Sequence, residues 1–110
     1  MIEFKPDIKD NVVIYNAFEE GKNTGKVLLT VEKTKAKLVS IQAIDAETAE
    51  GLMRSALNAA ANRDGYNCTY EPEAFRDVAQ LLGFRNENGK LVGEIPFLLT
   101  GSCCGCNQCQ

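Results

Sequence analysis

Residues 36–66 read AKLVSIQAIDAETAEGLMRSALNAAANRDGY, and the hydrophobic period changes inside them. Up to Ile44 the residues alternate. Leu38, Ser40 and Gln42 are predicted on one face and Val39, Ile41 and Ala43 on the other, the period of a half-buried strand. From Asp45 the period becomes helical, with Ala49, Leu52, Met53, Ala56, Leu57 and Ala60 recurring every three or four residues. Asp45 suits an N-cap, and Glu47 and Glu50 fall where the helix dipole favours acid. Gly65 suits a left-handed stop. The stretch therefore predicts a strand that runs directly into a helix over 46–63.

Upstream, Asn11–Phe18 and Lys26–Glu32 are rich in β-branched, aromatic and leucine residues and read as strands around a Glu19–Gly25 hairpin loop. Lys33-Thr34-Lys35 makes a tight turn into the strand at Ala36, so the first half is an antiparallel meander. Residues 1–10 read as a short strand or arm. Downstream, Tyr66–Tyr70 is a fourth strand. Glu71-Pro72-Glu73 opens a second helix over 73–83, with Phe75, Val78, Ala79 and Leu82 as its buried stripe and Gly83 as its end. Arg85–Lys90 is a loop with an Asn88-Gly89 turn, and Leu91–Leu99 is a last strand with Pro96 at a bulge or an edge. The fold class is α+β: a mixed, mostly antiparallel sheet flanked by helices, in one domain over residues 1–100. Residues 101–110 form a cysteine-rich tail.

The chain has 110 residues, 45% apolar and 25% charged, with net charge −3. These values suit one globular core and disfavour nucleic acid as a partner. No apolar run reaches the ~20 residues of a membrane span, and the N-terminus lacks a secretory apolar region. A cytoplasmic location is expected. There is no histidine, so Ser-His and Cys-His catalysis are excluded.

The order strand, strand, strand, helix, strand, helix, strand resembles the GCN5-related N-acetyltransferase (GNAT) fold superfamily, as a short, N-terminally truncated member. Four segments carry the resemblance, across about residues 11–99. They are the hairpin VVIYNAFEEGKNTGKVLLTVE, the strand AKLVSIQAID leading into a helix, the helix GLMRSALNAAANRDGY ending in a Gly-containing turn, and EAFRDVAQLLGFRNENGK with its Leu82-Gly83-Phe84 terminator. The resemblance implies acetyl-CoA as cofactor, held beneath the main helix, with its pyrophosphate on backbone N–H groups of the first turn. It makes Ile44, Thr48 and Gly51 the cofactor-binding candidates, and whether the strands at Ala36–Ile44 and Tyr66–Tyr70 splay apart at the helix N-terminus is the observation that decides most.

The departures from that pattern concern function. The family's spaced glycines fall near Thr48 and Glu50, where side chains obstruct phosphate, and Asp45, Glu47 and Glu50 repel it. The family's usual general-acid tyrosine position holds Ala79, which leaves Tyr70 as the catalytic candidate. The N-terminal helices that form an acceptor wall in the family are missing from the pattern.

Four of five cysteines crowd the end: Cys103, Cys104, Cys106 and Cys109 form CCxCxxC. Thiolates at this spacing can take Zn²⁺, Cu(I) or an iron–sulfur cluster, or form a thiol tail with no fixed partner. Cys68 reads as a small core residue. Glu71 and Glu73 read as either a carboxylate base or dipole partners of the second helix. Lys22, Lys26, Lys33, Lys35 and Lys37 lie among Glu19, Glu20 and Glu32, the pattern of a solvated edge. Three functions follow as expectations. The first is a GNAT-like protein with degenerate or absent acyltransferase activity that acts through contacts with a protein or small-molecule partner and forms a homodimer. The second is an active acetyl-CoA-dependent N-acetyltransferase, and the third a thiolate metal-binding protein.

Overall fold

The computed structural model describes residues 2–100. In chain order the strands are β1 (Ile2–Lys9), β2 (Val12–Glu19), β3 (Lys22–Glu32), β4 (Lys35–Ala43), β5 (Asn67–Tyr70), β6 (Arg85–Glu87) and β7 (Lys90–Glu94). Helix α1 (Ala46–Ala61) joins β4 to β5, α2 (Arg76–Leu82) joins β5 to β6, and α3 (Ile95–Thr100) follows β7. The strands form one sheet in the order β1-β2-β3-β4-β5-β7-β6. Every neighbouring pair is antiparallel except β4 with β5. That parallel pair is the one joined by a crossover helix, because parallel neighbours cannot be linked by a tight turn.

The meander is set by local backbone chemistry. Glu20 and Gly21 both take positive φ, 52° and 80°, which closes a two-residue turn between Glu19 and its partner Lys22. Such turns match the right-handed strand twist. On the inner face of the sheet Val13, Ala17, Val27, Leu29, Val31, Ala36, Leu38 and Ile41 are buried, and α1 packs there with Ala49, Leu52, Met53, Ala56 and Leu57. Helices α2 and α3 lie against α1. The outer face carries the register row Lys9, Val12, Thr30, Lys37, Thr69, Val92 and Arg85 across all seven strands. No residue of that row is buried.

Several sequence expectations are corrected. The Glu19–Gly25 loop shrinks to Glu20-Gly21, and β3 begins at Lys22, because the I′-like turn lets Lys22 to Gly25 pair with β2. Gly65 is not left-handed. Asp64 is, with φ 67°, while the Gly65 N–H donates to the Ala60 carbonyl at 2.8 Å. A Cβ at residue 65 would stand 2.9 Å from that oxygen. The second helix starts at Arg76 rather than 73, with Phe75 as its left-handed N-cap (φ 59°) and only partly buried. Arg85–Glu87 is a strand that pairs with β7 through the Asn88-Gly89 turn. Leu91–Leu99 is not one strand. It divides at Ile95, where Pro96 enters the first turn of α3, the position at which a missing N–H costs least.

Strict alternation in β4 also fails. Leu29 pairs with Leu38 and Leu28 with Ser40, so Val39 is an extra, bulged residue. Leu38 and Ile41 consequently share the buried face, and Val39 and Ser40 are exposed. The helices that flank the sheet gather around α1 on its inner face.

Candidate functional site

The bulge at Val39 marks where β4 and β5 part. Their parallel ladder runs from Lys35 with Asn67 to Leu38 with Tyr70 and stops there. The Glu71 N–H donates to the Leu38 carbonyl at 3.0 Å, the last backbone link between the two segments. Beyond it β4 continues to Ala43 paired with β3 alone. Bulges bend a strand and end pairing, so five residues of β4, Val39 to Ala43, form one wall of a cleft whose vertex is at Glu71. β4 thus outruns β5, which ends at Tyr70, and its edge beyond Leu38 is open.

The mouth of the cleft is the start of α1. Asp45 has extended backbone, and its carboxylate accepts the Thr48 N–H at 2.8 Å. The Ala49 N–H donates to the Asp45 carbonyl at 3.1 Å, the first intrahelical bond. The bond from the Thr48 N–H holds the Asp45 carboxyl below its usual range, because it favours the ionised acceptor. Glu47 is exposed in the first turn. Glu50 lies beyond that turn and pairs with Arg54 at 2.9 Å, an exposed i,i+4 pair. The end of the helix that attracts anions is thus occupied by its own carboxylate, with a second one beside it.

Ile44 stands at the mouth and is 64% exposed; Val39, at the vertex end, is 41% exposed. Thr48 is fully buried, and its N–H is already bonded to Asp45. Gly51 serves packing: a Cβ there would run into the Phe4 ring, so the missing side chain makes room for β1 against α1. Tyr70 lies in the core, 2% exposed, with its hydroxyl donating to the Ala74 carbonyl and its ring 5.6 Å from that of Phe84. Burial pushes its pKa up to about 12. Ala79 is buried at the position where the family resemblance expects an acid. Glu71 sits at the vertex and Glu73 follows, both exposed. Cys68 is 1% exposed, and burial raises its thiol to about 12. It is therefore a core thiol and not a nucleophile at neutral pH. Among the described residues no cluster of three or more His, Cys, Asp or Glu side chains is placed to hold a metal. Cys103, Cys104, Cys106 and Cys109 lie outside the described residues. No helix of the described residues is long and apolar enough to cross a membrane.

Sequence reasoning missed Val39, the residue that opens the cleft. Its signal was the spacing of three between Leu38 and Ile41, where unbroken alternation would have spaced two inward apolar residues by two.

No family model matches the chain, and no curated protein matches it. Solved structures do. A GNAT family acetyltransferase from Elizabethkingia anophelis with acetyl-CoA bound superposes with a TM-score of 0.68 at 13% identity, over 84% of this chain and 97% of that one. An acetyltransferase from Bacillus subtilis in complex with CoA gives 0.63 at 14% identity over the same shares, 84% and 97%. The ribosomal-protein-S18-alanine N-acetyltransferase from Escherichia coli gives 0.66 at 14% identity, over 80% and 72%. At these identities the likeness is one of fold, and the chain, with its mixed sheet and crossover helix between β4 and β5, has the fold of the GNAT superfamily.

Proposed function

We propose that this chain is a GNAT-fold protein with degenerate acyltransferase function, which keeps the central cleft and uses it for contacts with another protein. The observation that carries this reading is the closed N-terminus of α1. The Asp45 carboxylate takes the Thr48 N–H at 2.8 Å, and Glu47 adds a second charge in the same turn. A CoA pyrophosphate needs those N–H groups and is repelled by those carboxylates. The position of the missing acid points the same way. Ala79 offers no proton, and Tyr70 is buried with its proton committed to Ala74. A group with a pKa of about 12 is far from the range suited to acid catalysis at neutral pH.

The test is calorimetry with acetyl-CoA at low salt, where electrostatic repulsion is least screened. The expected result is no saturation below millimolar ligand. A Kd in the low micromolar range overturns the reading. The double variant Glu47→Gly with Glu50→Gly is expected to bind acetyl-CoA more tightly than the parent chain, since it removes two carboxylates and opens the first turns.

A second reading, an active acetyl-CoA-dependent N-acetyltransferase, is favoured by the splay at Leu38 and Tyr70 and by the CoA and acetyl-CoA bound to two of the structural neighbours. The β4 edge, Val39 to Ala43, pairs with β3 alone, so this reading requires that CoA contacts along it outweigh the repulsion at Asp45 and Glu47 and that a group other than Ala79 or Tyr70 protonates the leaving thiolate. Glu71 or Glu73 would then supply the base. Saturable turnover of acetyl-CoA with a primary amine, lost in Glu71→Gln, would establish it.

A further inference from the structure

We propose that the cleft accepts an extended polypeptide segment with basic residues at both ends, added as a strand to the β4 edge. The inference rests on the degenerate reading above and names the partner class of the same cleft. From Val39 to Ala43, β4 pairs only with β3. An edge of five residues spans about 16 Å, enough for one short guest strand, and main-chain bonds to such an edge supply affinity in strand-addition complexes. Exposed apolar side chains stand at its two ends, Val39 and Ile44, and would pack against the guest.

Charge selects the guest. Asp45 and Glu47 lie at the mouth, and Glu71 and Glu73 lie at and just beyond the vertex. Against these four carboxylates stand Arg54, already paired with Glu50, Arg76 at the start of α2, and, on the bare face of the sheet, Lys26 opposite Gln42 and Lys37 before Leu38. The acids cluster at the two ends of the edge, while the strand between them, Ser40, Ile41 and Gln42, brings no carboxylate of its own. A segment with lysine or arginine at each end and small β-formers between matches that pattern. A polyanion such as CoA opposes it. Complementary charge across an edge fixes register and partner choice.

The probe is a blocked heptapeptide, alternating threonine and valine in its middle five residues with a lysine at each end. Its control carries glutamate at both ends. Both are titrated into the full chain at low salt and followed by backbone amide NMR. The lysine peptide is expected to move the amides of residues 39–45 and to bind at least about ten-fold more tightly than the glutamate peptide, with the gap narrowing as salt rises. Reversing two exposed charges, Glu47→Lys with Glu71→Lys, leaves one carboxylate and one lysine at each end and is expected to abolish the preference. Spermidine at matched charge is expected to leave residues 39–43 unmoved. Equal binding of the two peptides, shifts confined to other residues, the same shifts with spermidine, or no shifts up to the solubility limit would each overturn the proposal. Acetyl-CoA is titrated into the same samples. Tight acetyl-CoA binding overturns the degenerate reading, whereas failure of the peptide with acetyl-CoA also failing removes this inference alone.

Discussion

Gly51 sits in the middle of a helix, where glycine is a poor choice by roughly 1 kcal/mol relative to alanine. The Phe4 ring explains it: a Cβ on residue 51 would lie 2.8 Å from the ring's Cε1. Gly51→Ala is therefore expected to lower stability by about 1–3 kcal/mol through overpacking, despite the gain in propensity. In a Phe4→Ala background the same substitution is expected to stabilise. Urea midpoints of the four chains decide, and a destabilising effect in both backgrounds would contradict the packing explanation. Tyr70 and Cys68 make a second residue-level prediction. Burial raises both to about 12, from 10.0 and 9.0. The folded state therefore holds these protons where the unfolded chain loses them, so their stabilising contribution is complete below pH 9 and is lost as pH rises toward 12. Melting temperature is expected to fall across that window, less steeply in Cys68→Ala and Tyr70→Phe. Tyr70→Phe also removes the bond from the Tyr70 hydroxyl to the exposed Ala74 carbonyl, at a cost of about 1 kcal/mol. If Tyr70→Phe instead left stability unchanged while abolishing an acyltransfer activity, Tyr70 would be catalytic after all.

The boundary between β4 and α1 was legible in the sequence because two strong local signals agree there, the change of period and the Asp45 cap. The α2 and α3 boundaries were not. Pro72 suggested a helix start, yet the segment before Arg76 is held by the Tyr70 hydroxyl on the Ala74 carbonyl and by a left-handed Phe75, contacts that no local pattern encodes. The run Leu91–Leu99 is apolar in either structure, and only the burial of Ile95 and Leu98 in the core selects a helix after Glu94. The Val39 bulge was hidden because a bulge is a relation between two strands. At this scale the cap gives a pH prediction. Asp45 is depressed by its bond from the Thr48 N–H, so its contribution is present above the unfolded value of 3.8 and is lost as pH falls through the lowered folded value. Asp45→Asn keeps a cap acceptor and is expected to preserve the neutral-pH midpoint while flattening the acid limb. The bulge gives another. Deleting Val39 leaves Leu38, Ser40 and Ile41 on their present faces but restores a regular ladder. The variant is expected to keep its circular dichroism spectrum and to lose binding of the lysine-ended peptide. Unchanged peptide binding would show that the bulge does not make the cleft.

At the scale of the whole molecule the sheet has one face under helices and one face bare, an arrangement that antiparallel sheets tolerate because alternate residues can face water. The bare face mixes its charges, with exposed Glu3 and Asp7 alternating with Lys5 and Lys9 on β1, and Lys26 and Lys37 beyond them, whereas Asp45 and Glu47 put acid alone at the start of α1. The hydrophobic core is closed at its C-terminal end by Ile95 and Leu98 of α3, both fully buried. This fixes what the ten residues after Thr100 can contribute. Gly101, Ser102, Gly105, Asn107, Gln108 and Gln110 have almost no apolar surface to remove from water. Deleting residues 101–110 is therefore expected to leave the thermal midpoint unchanged. The exception is a metal held by Cys103, Cys104, Cys106 and Cys109 and coupled to folding. Structural zinc contributes about 10–16 kcal/mol in small peptides, and even a small fraction of that would move the midpoint of the whole chain by several degrees. The full-length and shortened chains, each melted with and without chelator under reducing conditions, separate the two cases. Four equal midpoints are the expected outcome. A fall on chelation confined to the full-length chain would mean that the tail folds around a metal and stabilises the domain through it, because the shortened chain shares every other feature of the fold.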